Sequence, residues 1–192
     1  MQAHESSKSI EIHGTVKLDY SDFSKIPYDG LGHHLLNGVH IITPAPSTKH
    51  QTISNFISFK LTDFTLKNQL GTVFTAPIDV KFSDKDGYQP DLLFIEASKS
   101  SIIQEKIISG SPTLIIEISE ESAQSDYGWK KNLAEQYAVQ EYWVVDLKYQ
   151  VTEIFALEEG KLVSKKIFKK EETIKSSLNI LSNFEINLRE SF

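Results

Sequence analysis

The chain has 192 residues, enough for one domain with a sizeable core, since 40% of them are hydrophobic and 10% aromatic. This composition excludes wholesale disorder. The lack of cysteine excludes disulfide bridges and thiolate zinc sites, and it agrees with a reducing compartment. A net charge of −6 argues against a general nucleic-acid binder, but it allows a nuclease whose basic residues gather around one cleft.

The N-terminus and the hydropathy set the expected location and domain organisation. Residues 1–14 are polar, and we expect a flexible N-terminus there, ahead of a single domain over residues 15–192. The sequence shows no apolar core of a signal peptide and no apolar run near the ~18 residues that a membrane span needs. It therefore predicts a soluble, cytoplasmic protein.

The first half of the chain predicts two helices around a hairpin. Residues 18–26 predict a short helix with Ser21 as its N-cap. The Asn-Gly pair at residues 37–38 lies between apolar residues, which is the strongest short signal for a β-hairpin. Ser47 predicts the cap of a long helix with an apolar stripe at i, i+3 and i+4 spacing, and Gly71 is expected just past its end.

The second half predicts more strands than helices. Residues 73–82 predict a strand that Pro77 weakens, as at an edge or a bulge. Apolar runs at residues 92–95 and 114–118 predict buried strands, with a short helical excursion between them near residues 102–108. A further helix and further strands are predicted over residues 126–138, 142–145, 151–157 and 162–168, the helix with Ser125 or Asp126 as its cap and the last two strands as a hairpin. This order predicts an α/β fold of mixed α+β type, with a mixed central β-sheet flanked by helices.

Two carboxylates stand out because they lie on the apolar strands. Asp91 opens the first run and Glu117 lies inside the second, where an unpaired carboxylate would cost several kcal/mol. If the strands are neighbours, these carboxylates could share a hard divalent cation such as Mg²⁺, with the carbonyl of residue 118 as a further ligand. The alternative is structural: Asp91 would cap a turn, and Glu117 would face solvent.

Lys130 is the basic residue best placed to act beside such an ion. It lies one helical turn after Asp126, so the two side chains share a face of the predicted helix, whereas Lys131 points elsewhere. A lysine near the ion could stabilise charge on a phosphate or help to activate water. The alternative is an exposed ion pair between Asp126 and Lys130, which contributes only about 0.3–0.5 kcal/mol.

The histidines and the one basic run give weaker signals. His50 and Gln51 lie in the first turn of the long helix, where a histidine could touch a metal-bound water or a phosphate, or be an exposed residue without a task. Three other histidines lack the spacing of a zinc site and are expected to be solvated: His33, His34 and His40. The basic run at residues 165–170 could follow a nucleic-acid backbone or protect an edge strand.

Five segments in the same order resemble the Uma2 family, also called DUF820, of the PD-(D/E)XK nuclease superfamily. The segments are LDYSDFSKIP with LLNGVHIITPAPSTKHQTIS, TAPIDVKF with QPDLLFIE, SPTLIIEISEES, DYGWK, and EYWVVD. The resemblance extends over most of the chain. It implies a restriction endonuclease-like core, preceded by a helix and a hairpin as an N-terminal extension.

The resemblance also implies an active site. Asp91 and Glu117 would hold Mg²⁺ or Mn²⁺. Lys130 would be the lysine of the motif, relocated from its usual place two residues after the acid, where this chain has Ser119. The implied near-site residues are Asp126, Ser119, His50 and Gln51. The implied activity is a metal-dependent endonuclease that hydrolyses DNA with metal-activated water.

Two departures from the family pattern keep other functions open. This chain has His34 where the family commonly has an acidic residue, and Ala134 where tyrosine is common. If the missing acid is a metal ligand, a second ion is in doubt. The alternative function is a non-catalytic binding or assembly module on the same fold, as one arm of a homodimer. Cleavage of RNA or of special DNA structures is a third hypothesis.

Overall fold

The computed structural model describes residues 12–13, 17–27, 29–120 and 123–189. Its strands are β1 Ile12–His13, β2 Gly32–Leu36, β3 Val39–Thr43, β4 Gly71–Thr75, β5 Asp79–Lys81, β6 Gly87–Tyr88, β7 Leu92–Glu96, β8 Ile107–Ser109, β9 Leu114–Ser119, β10 Glu141–Asp146, β11 Val151–Glu158, β12 Lys161–Lys169, β13 Thr173–Lys175 and β14 Glu185–Asn187. Its helices are α1 Tyr20–Phe23, α2 Thr48–Lys67, α3 Ala123–Ser125 and α4 Lys131–Gln136, with a π-helical turn at Asp126–Lys130 and 3₁₀ turns at Ala97–Ile102 and Asn179–Leu181.

Two six-stranded sheets organise the described residues. The central sheet has the strand order β12-β11-β10-β9-β7-β4, in which β9 and β10 are parallel and the other pairs antiparallel. The second sheet has the order β1-β3-β2-β6-β5-β8 and contains one parallel pair, β5 with β8. β13 and β14 form a separate antiparallel ribbon. The predicted mixed sheet is therefore confirmed.

The central sheet is buried on both faces because its middle strands are apolar nearly without interruption. One face packs on α2 and on the C-terminal ribbon, through residues that include Ile53, Ile57 and Ile174. The opposite face packs on α4 and on the second sheet, through residues that include Leu133 and Val80. Each such side chain stabilises the fold by roughly 1.5–3 kcal/mol, so a charged group on these strands is an exception that needs a partner.

Several sequence predictions are confirmed in detail. The hairpin of β2 and β3 turns at Asn37 and Gly38, whose positive φ angles of 49° and 77° suit the Asn-Gly pair. Ser47 caps α2, and its side chain accepts the His50 N–H at 3.1 Å. β11 and β12 form the predicted hairpin beside the buried strand β10.

Two predicted helix ends are wrong. Asp19 caps α1 by accepting a backbone N–H of the first turn, so Ser21 lies inside the helix. At the end of α2, Gln69 takes the left-handed conformation with φ 53°. Gly71 instead opens β4, where a Cβ atom would come within 2.1 Å of the Ile95 carbonyl oxygen. The glycine is required by this close approach of two chains, and it does not end the helix.

The strand predicted over residues 73–82 is two strands in different sheets. β4 pairs with β7, whereas β5 pairs with β6 and β8, and the chain passes between them at the cis Ala76-Pro77 peptide bond. Proline has no N–H to donate to a ladder, so the strand breaks there. The helical excursion near residues 102–108 is also wrong, because the helical turn comes earlier and Ile107–Ser109 is β8.

The helix predicted over residues 126–138 is interrupted. α3 passes into the π-helical turn, in which Gly128 leaves the helical region with φ −99° and ψ −110°, and α4 follows. Ser125 has helical dihedral angles and makes no capping hydrogen bond, and Asp126 lies inside the turn. The predicted cap is therefore wrong. Turns of this kind are frequent at functional sites, and this one carries both Asp126 and Lys130.

The two chain ends differ in how they join the fold. Of residues 1–14, only Ile12–His13 are described, and they pair with β3, so the rest of the expected flexible N-terminus lies outside the described residues. The C-terminal residues form the ribbon of β13 and β14 on the face that α2 covers. None of the described helices is long and apolar enough to cross a membrane.

Candidate active site

Asp91 lies directly before β7, where the chain enters the central sheet. The antiparallel register of β7 and β9, continued by one residue, sets Asp91 opposite Glu117. Asp91 Oδ2 accepts the Ile118 N–H at 2.7 Å and lies 3.1 Å from His50 Nε2. The two strands are neighbours, as a shared cation requires. Asp91 bridges β9 and α2, so the alternative in which it caps a turn is wrong.

Glu117 is fully buried in β9, so the alternative of a solvent-facing residue is wrong as well. Its Oε2 accepts a hydrogen bond from Lys130 Nζ at 2.7 Å, whereas Oε1 has no partner with hydrogen-bond geometry among the described residues. The Tyr88 hydroxyl lies beside this carboxylate, since burial and then the neighbouring Glu117 raise the pKa of Tyr88. Burial raises the pKa of Glu117 to about 8, because Lys130 only partly offsets burial and the carboxylates of Asp91 and Asp126 add to it. A cation could replace this proton and take up the free oxygen.

Lys130 is held between two carboxylates. Its Nζ lies 2.7 Å from Glu117 Oε2 and 2.8 Å from Asp126 Oδ1, and its side chain is only 12% exposed. Burial alone would lower the pKa of Lys130, but the negative charges of Glu117, Asp126 and Asp91 raise it, so the amine stays protonated. The alternative of an exposed surface ion pair is therefore wrong. Lys130 is a fixed cation at the centre of a site cluster that consists of Asp91, Glu117, Asp126, Lys130 and His50.

His50 reaches Asp91 from the first turn of α2. The hydroxyl of Ser47 contacts the carboxylate of Glu120, directly after β9, and this ties the start of α2 to the end of that strand. Burial opposes protonation of His50, but the hydrogen bond and the charge of Asp91 outweigh it and raise the pKa of His50. Gln51 is exposed on α2, and its side chain makes no hydrogen bond with a described residue.

Unpartnered polar atoms concentrate in this region. Seven buried side-chain atoms lack a hydrogen-bond partner among the described residues, and each belongs to the cluster or adjoins it: His34 Nδ1, His50 Nδ1, Tyr88 Oη, Glu117 Oε1, Ser119 Oγ, Ser125 Oγ and Trp129 Nε1. Ser119 is fully buried two residues after Glu117, at the usual place of the lysine of the motif. Buried polar groups are normally hydrogen-bonded, so this concentration indicates a region shaped by function.

Sequence reasoning misses a ring cluster beside the carboxylates, formed by His34, Tyr88 and Trp129. The ring centroids lie 5.4 Å apart for His34 and Trp129, 5.8 Å for Tyr88 and Trp129, and 6.0 Å for His34 and Tyr88. Burial and the charge of Lys130 hold the pKa of His34 well below its usual range. The one available signal was the position of His34, where the family commonly has an acid.

The predicted solvation of the hairpin histidines is wrong for two of them. His34 is 3% exposed and His33 9%. His33 Nδ1 lies 2.9 Å from His40 Nε2, and His33 Nε2 lies 2.8 Å from Asp29 Oδ1. His34 lies on the face of β2 that covers the central sheet, whereas His33 and His40 lie on the opposite face, where Phe23 of α1 packs against the His40 ring. Both faces of this hairpin therefore exclude water from a histidine.

The two carboxylates suit a hard divalent cation. Glu117 Oε1 and Asp91 Oδ1 accept no hydrogen bond from the described residues, and Mg²⁺ commonly binds through one or two carboxylates. Within the described ranges, no three or more His, Cys, Asp or Glu side chains are grouped so that they could hold a metal ion. A cation here would need further oxygen ligands, namely the Ile118 carbonyl, water and a substrate phosphate.

The basic run of residues 165–170 lies mainly on β12, an edge strand of the central sheet. Lys165 pairs with Glu158 at 2.5 Å, and Lys166 pairs with Glu172 at 3.4 Å. Exposed lysines along an edge discourage pairing with another chain, as the sequence predicts.

Comparisons with known proteins identify the fold. The Uma2 family, described as "Putative restriction endonuclease", matches residues 20–189. A crystal structure from Anabaena variabilis, described as "a putative nuclease belonging to DUF820", is similar with a TM-score of 0.75 and 16% sequence identity, over 91% of this chain and 97% of that chain. This likeness confirms the expected architecture. No match was found among curated proteins.

Proposed function

Because the chain belongs to the Uma2 family, we propose that it is an endonuclease that hydrolyses phosphodiester bonds of DNA with Mg²⁺ or Mn²⁺. The family and the fold support a nuclease, and the proposal adds the metal and the substrate. The observation that carries it is Glu117, fully buried opposite Asp91 and paired with Lys130, with one oxygen unpartnered among the described residues. Lys130 supplies one positive charge beside the carboxylates of Glu117, Asp126 and Asp91, so an ionised Glu117 destabilises the fold unless a further cation is bound.

Asp91 and Glu117 would hold the cation, together with the carbonyl of Ile118. The chemistry that the cation supplies is polarisation of the scissile phosphate and a water that loses its proton near neutral pH. The Ile118 N–H and His50 both bind Asp91 through Oδ2, so they orient the carboxylate and leave Oδ1 for a ligand. His50 is therefore a positioning residue in this proposal, and Gln51 has no role in it.

Lys130 would stabilise the negative charge that develops on the phosphate. The surrounding carboxylates raise the pKa of Lys130, so its amine is a donor and not a base that could take a proton from water. Asp126 holds the amine in place from the same π-helical turn. Ser119 is fully buried at the usual place of the lysine, and Lys130 reaches Glu117 from the π-helical turn instead.

The alternative of a non-catalytic module makes the opposite prediction about metal. Such a module has no use for the cation, so millimolar Mg²⁺ or Mn²⁺ would change neither the melting temperature nor the heat of mixing. The retained set of Asp91, Glu117 and Lys130 favours the nuclease, although His34 stands where an acid is common. The homodimer and the cytoplasmic location remain predictions from the sequence.

Cleavage of supercoiled and linear DNA tests the proposed function. The assay compares wild type, Glu117→Gln and the control Glu96→Gln in Mg²⁺, in Mn²⁺ and in EDTA. Glu96 lies at the other end of β7 from Asp91, so the control removes a carboxylate away from the site. We expect metal-dependent cleavage by wild type and the control and none by Glu117→Gln. Equal cleavage by Glu117→Gln, or cleavage that persists in EDTA, would contradict the proposal.

A further inference from the structure

The end of the central sheet that carries Asp91 also carries Lys169. The strand register pairs Ser119 with Asp146, Asp146 with Val151, and Val151 with Lys169. Lys169 therefore lies three strands from Ser119, or about 14 Å at the usual strand spacing of ~4.8 Å. The end of β12 and the candidate active site are thus parts of one edge of the molecule.

Lys169 also lies on the same face of the sheet as Glu117. Directly paired residues point to one face, and Glu117, Val144, Glu153 and Ile167 are paired in that order from β9 to β12. Lys169 shares the face of Ile167, because residues two apart on a strand point the same way. A ligand that runs along this edge of the sheet could therefore contact both the site and the end of β12.

The turn between β10 and β11 adds a cation and an exposed ring at this end. Asp146 Oδ1 accepts the backbone N–H groups of Lys148 and Tyr149, both at 2.9 Å, which fixes the turn. Tyr149 is 68% exposed, and Lys148 Nζ lies 5.6 Å from the centroid of its ring. Exposed rings beside cations are the surfaces on which bases of single-stranded nucleic acids stack.

Ion pairing distinguishes the two ends of β12. Far from the site, Lys161 Nζ lies 2.8 Å from Glu135 Oε1, and Lys165 Nζ lies 2.5 Å from Glu158 Oε1. At the site end, three lysines make no ion pair with a described residue: Lys148, Lys169 and Lys170. Glu172 lies at the site end as well, 3.4 Å from Lys166 Nζ, and it accepts the Lys169 backbone N–H at 2.9 Å. More positive charge is therefore left without an ion pair at the site end than at the far end, although Glu172 offsets part of it.

We propose that Lys148, Tyr149, Lys169 and Lys170 form a lysine–tyrosine surface that binds the nucleic-acid backbone on one side of the scissile phosphate. This inference rests on the proposed nuclease function. The distance of about 14 Å from Ser119 corresponds to about four phosphates of one strand, at ~3.4 Å of helix axis each. It also exceeds the Debye length of about 10 Å at 0.1 M salt, so the site carboxylates do not cancel the lysine charges.

Binding of single- and double-stranded oligonucleotides as a function of salt tests the lysine–tyrosine surface. We would use Glu117→Gln protein without divalent metal as the background, so that no substrate is cut. Into it go either Lys169→Gln with Lys170→Gln or the control pair Lys161→Gln with Lys165→Gln. Both pairs remove two positive charges from residues 161–170, so a difference in binding between them shows that the position of the charges along β12 matters. Melting temperatures show that each variant is folded.

We expect the site-end pair to weaken duplex binding about tenfold at low salt and to reduce the salt slope by about two, and the control pair to change binding less than about twofold. Tyr149→Leu should weaken single-strand binding several-fold without changing the slope. Equal losses in both lysine pairs, or an unchanged slope in the site-end pair, would overturn the surface.

Cleavage assays with Glu117 restored keep this inference apart from the proposed function. If substitution of Lys169 and Lys170 changes neither metal-dependent cleavage nor DNA binding, the nuclease function is supported and the proposed lysine–tyrosine surface is wrong. Binding that depends on the two lysines, in a wild-type protein that cuts no DNA, would retain the surface and overturn the nuclease.

Discussion

Glu117 and Glu141 are both fully buried, on the adjacent parallel strands β9 and β10, but the fold treats them in opposite ways. Glu141 accepts hydrogen bonds from the Trp143 indole, the Ser176 hydroxyl, and the backbone N–H and hydroxyl of Ser177. Glu117 has one oxygen 2.7 Å from Lys130 Nζ and the other without a partner of hydrogen-bond geometry among the described residues. Both carboxylates are buried, so the feature that indicates a site is a buried oxygen that lacks a hydrogen-bond partner.

The hydrogen bonds that Glu141 accepts offset the free-energy cost of burying its carboxylate, so its burial is explained without a functional role. The donors come from its own strand and from the segment after β13, so this carboxylate fastens the C-terminal ribbon to the central sheet. Glu117 joins no two segments in this way. Asp126 also holds Lys130, so the position of the lysine does not depend on Glu117 alone. The comparison therefore predicts that changes at Glu141 affect stability and that changes at Glu117 affect activity and metal binding.

The largest expected effect is on cleavage by Glu117→Gln. The substitution keeps the volume of the side chain and removes the charge that would bind the cation, so the rate should fall at least about 10²–10³-fold. Initial rates of plasmid nicking in Mn²⁺ measure it. Glu141→Gln, corrected for its folded fraction, should cleave at the wild-type rate. Similar losses in both variants would remove the distinction between the two glutamates.

The next largest effect is on the stability of Glu141→Ala. Truncation leaves the donors of Trp143, Ser176 and Ser177 without their acceptor, and we expect the free energy of unfolding to fall by about 3 kcal/mol. Urea titration followed by tryptophan fluorescence measures it. Glu117→Gln should not lower the same quantity at neutral pH, because a neutral group replaces a carboxyl that burial keeps protonated in the folded protein and that ionises on unfolding. A more destabilising Glu117→Gln would contradict this ranking.

Metal should stabilise only proteins that retain Glu117. At a Mn²⁺ concentration about 100 times the Kd, binding to the folded state adds about 2.7 kcal/mol to the free energy of unfolding. Thermal melts of wild type, Glu117→Gln and Glu141→Gln with and without Mn²⁺ measure the shift. We expect it in wild type and Glu141→Gln alone, and a shift in Glu117→Gln would place the cation elsewhere.

The smallest expected effect is that of a single pH unit on the stability without metal. Burial raises the pKa of Glu117 to about 8 from its usual value of 4.5, so between these values the folded protein holds a proton that the unfolded chain has lost. Stability should therefore fall as pH rises through this window, by at most about 1.4 kcal/mol per pH unit. Glu117→Gln lacks this contribution. Parallel pH profiles of unfolding for the two proteins would show that Glu117 does not titrate in this range.

Sequence reasoning finds the parts of the site that have a local signal. A carboxylate at the start of an apolar strand or inside one is visible in a window of a few residues, which is how Asp91 and Glu117 are found. The Asp126–Lys130 pair is visible from its helical spacing. Its burial is not, because that depends on how the π-helical turn lies against the central sheet.

The remaining errors come from tertiary structure. His34, Tyr88 and Trp129 meet because the second sheet and the π-helical turn converge on one face of the central sheet, and none of the three has a local pattern that shows this. The sequence over residues 73–82 predicts one strand, because the residues before and after Pro77 have the same apolar composition. Only the pairing partners reveal that they belong to different sheets.

The lysine that pairs with Glu117 is attached to a different element of the chain, 13 residues away. In the usual arrangement, acid and lysine lie two residues apart on one strand, and any peptide that forms the strand carries both. Here the pair forms only after the segment that carries Lys130 has packed against the central sheet. A nascent or partly unfolded chain therefore has Glu117 without the lysine that pairs with it. The arrangement also allows the chain between Glu117 and Lys130 to gain or lose residues during evolution, since packing of the two elements, and not spacing along the chain, brings the two side chains together.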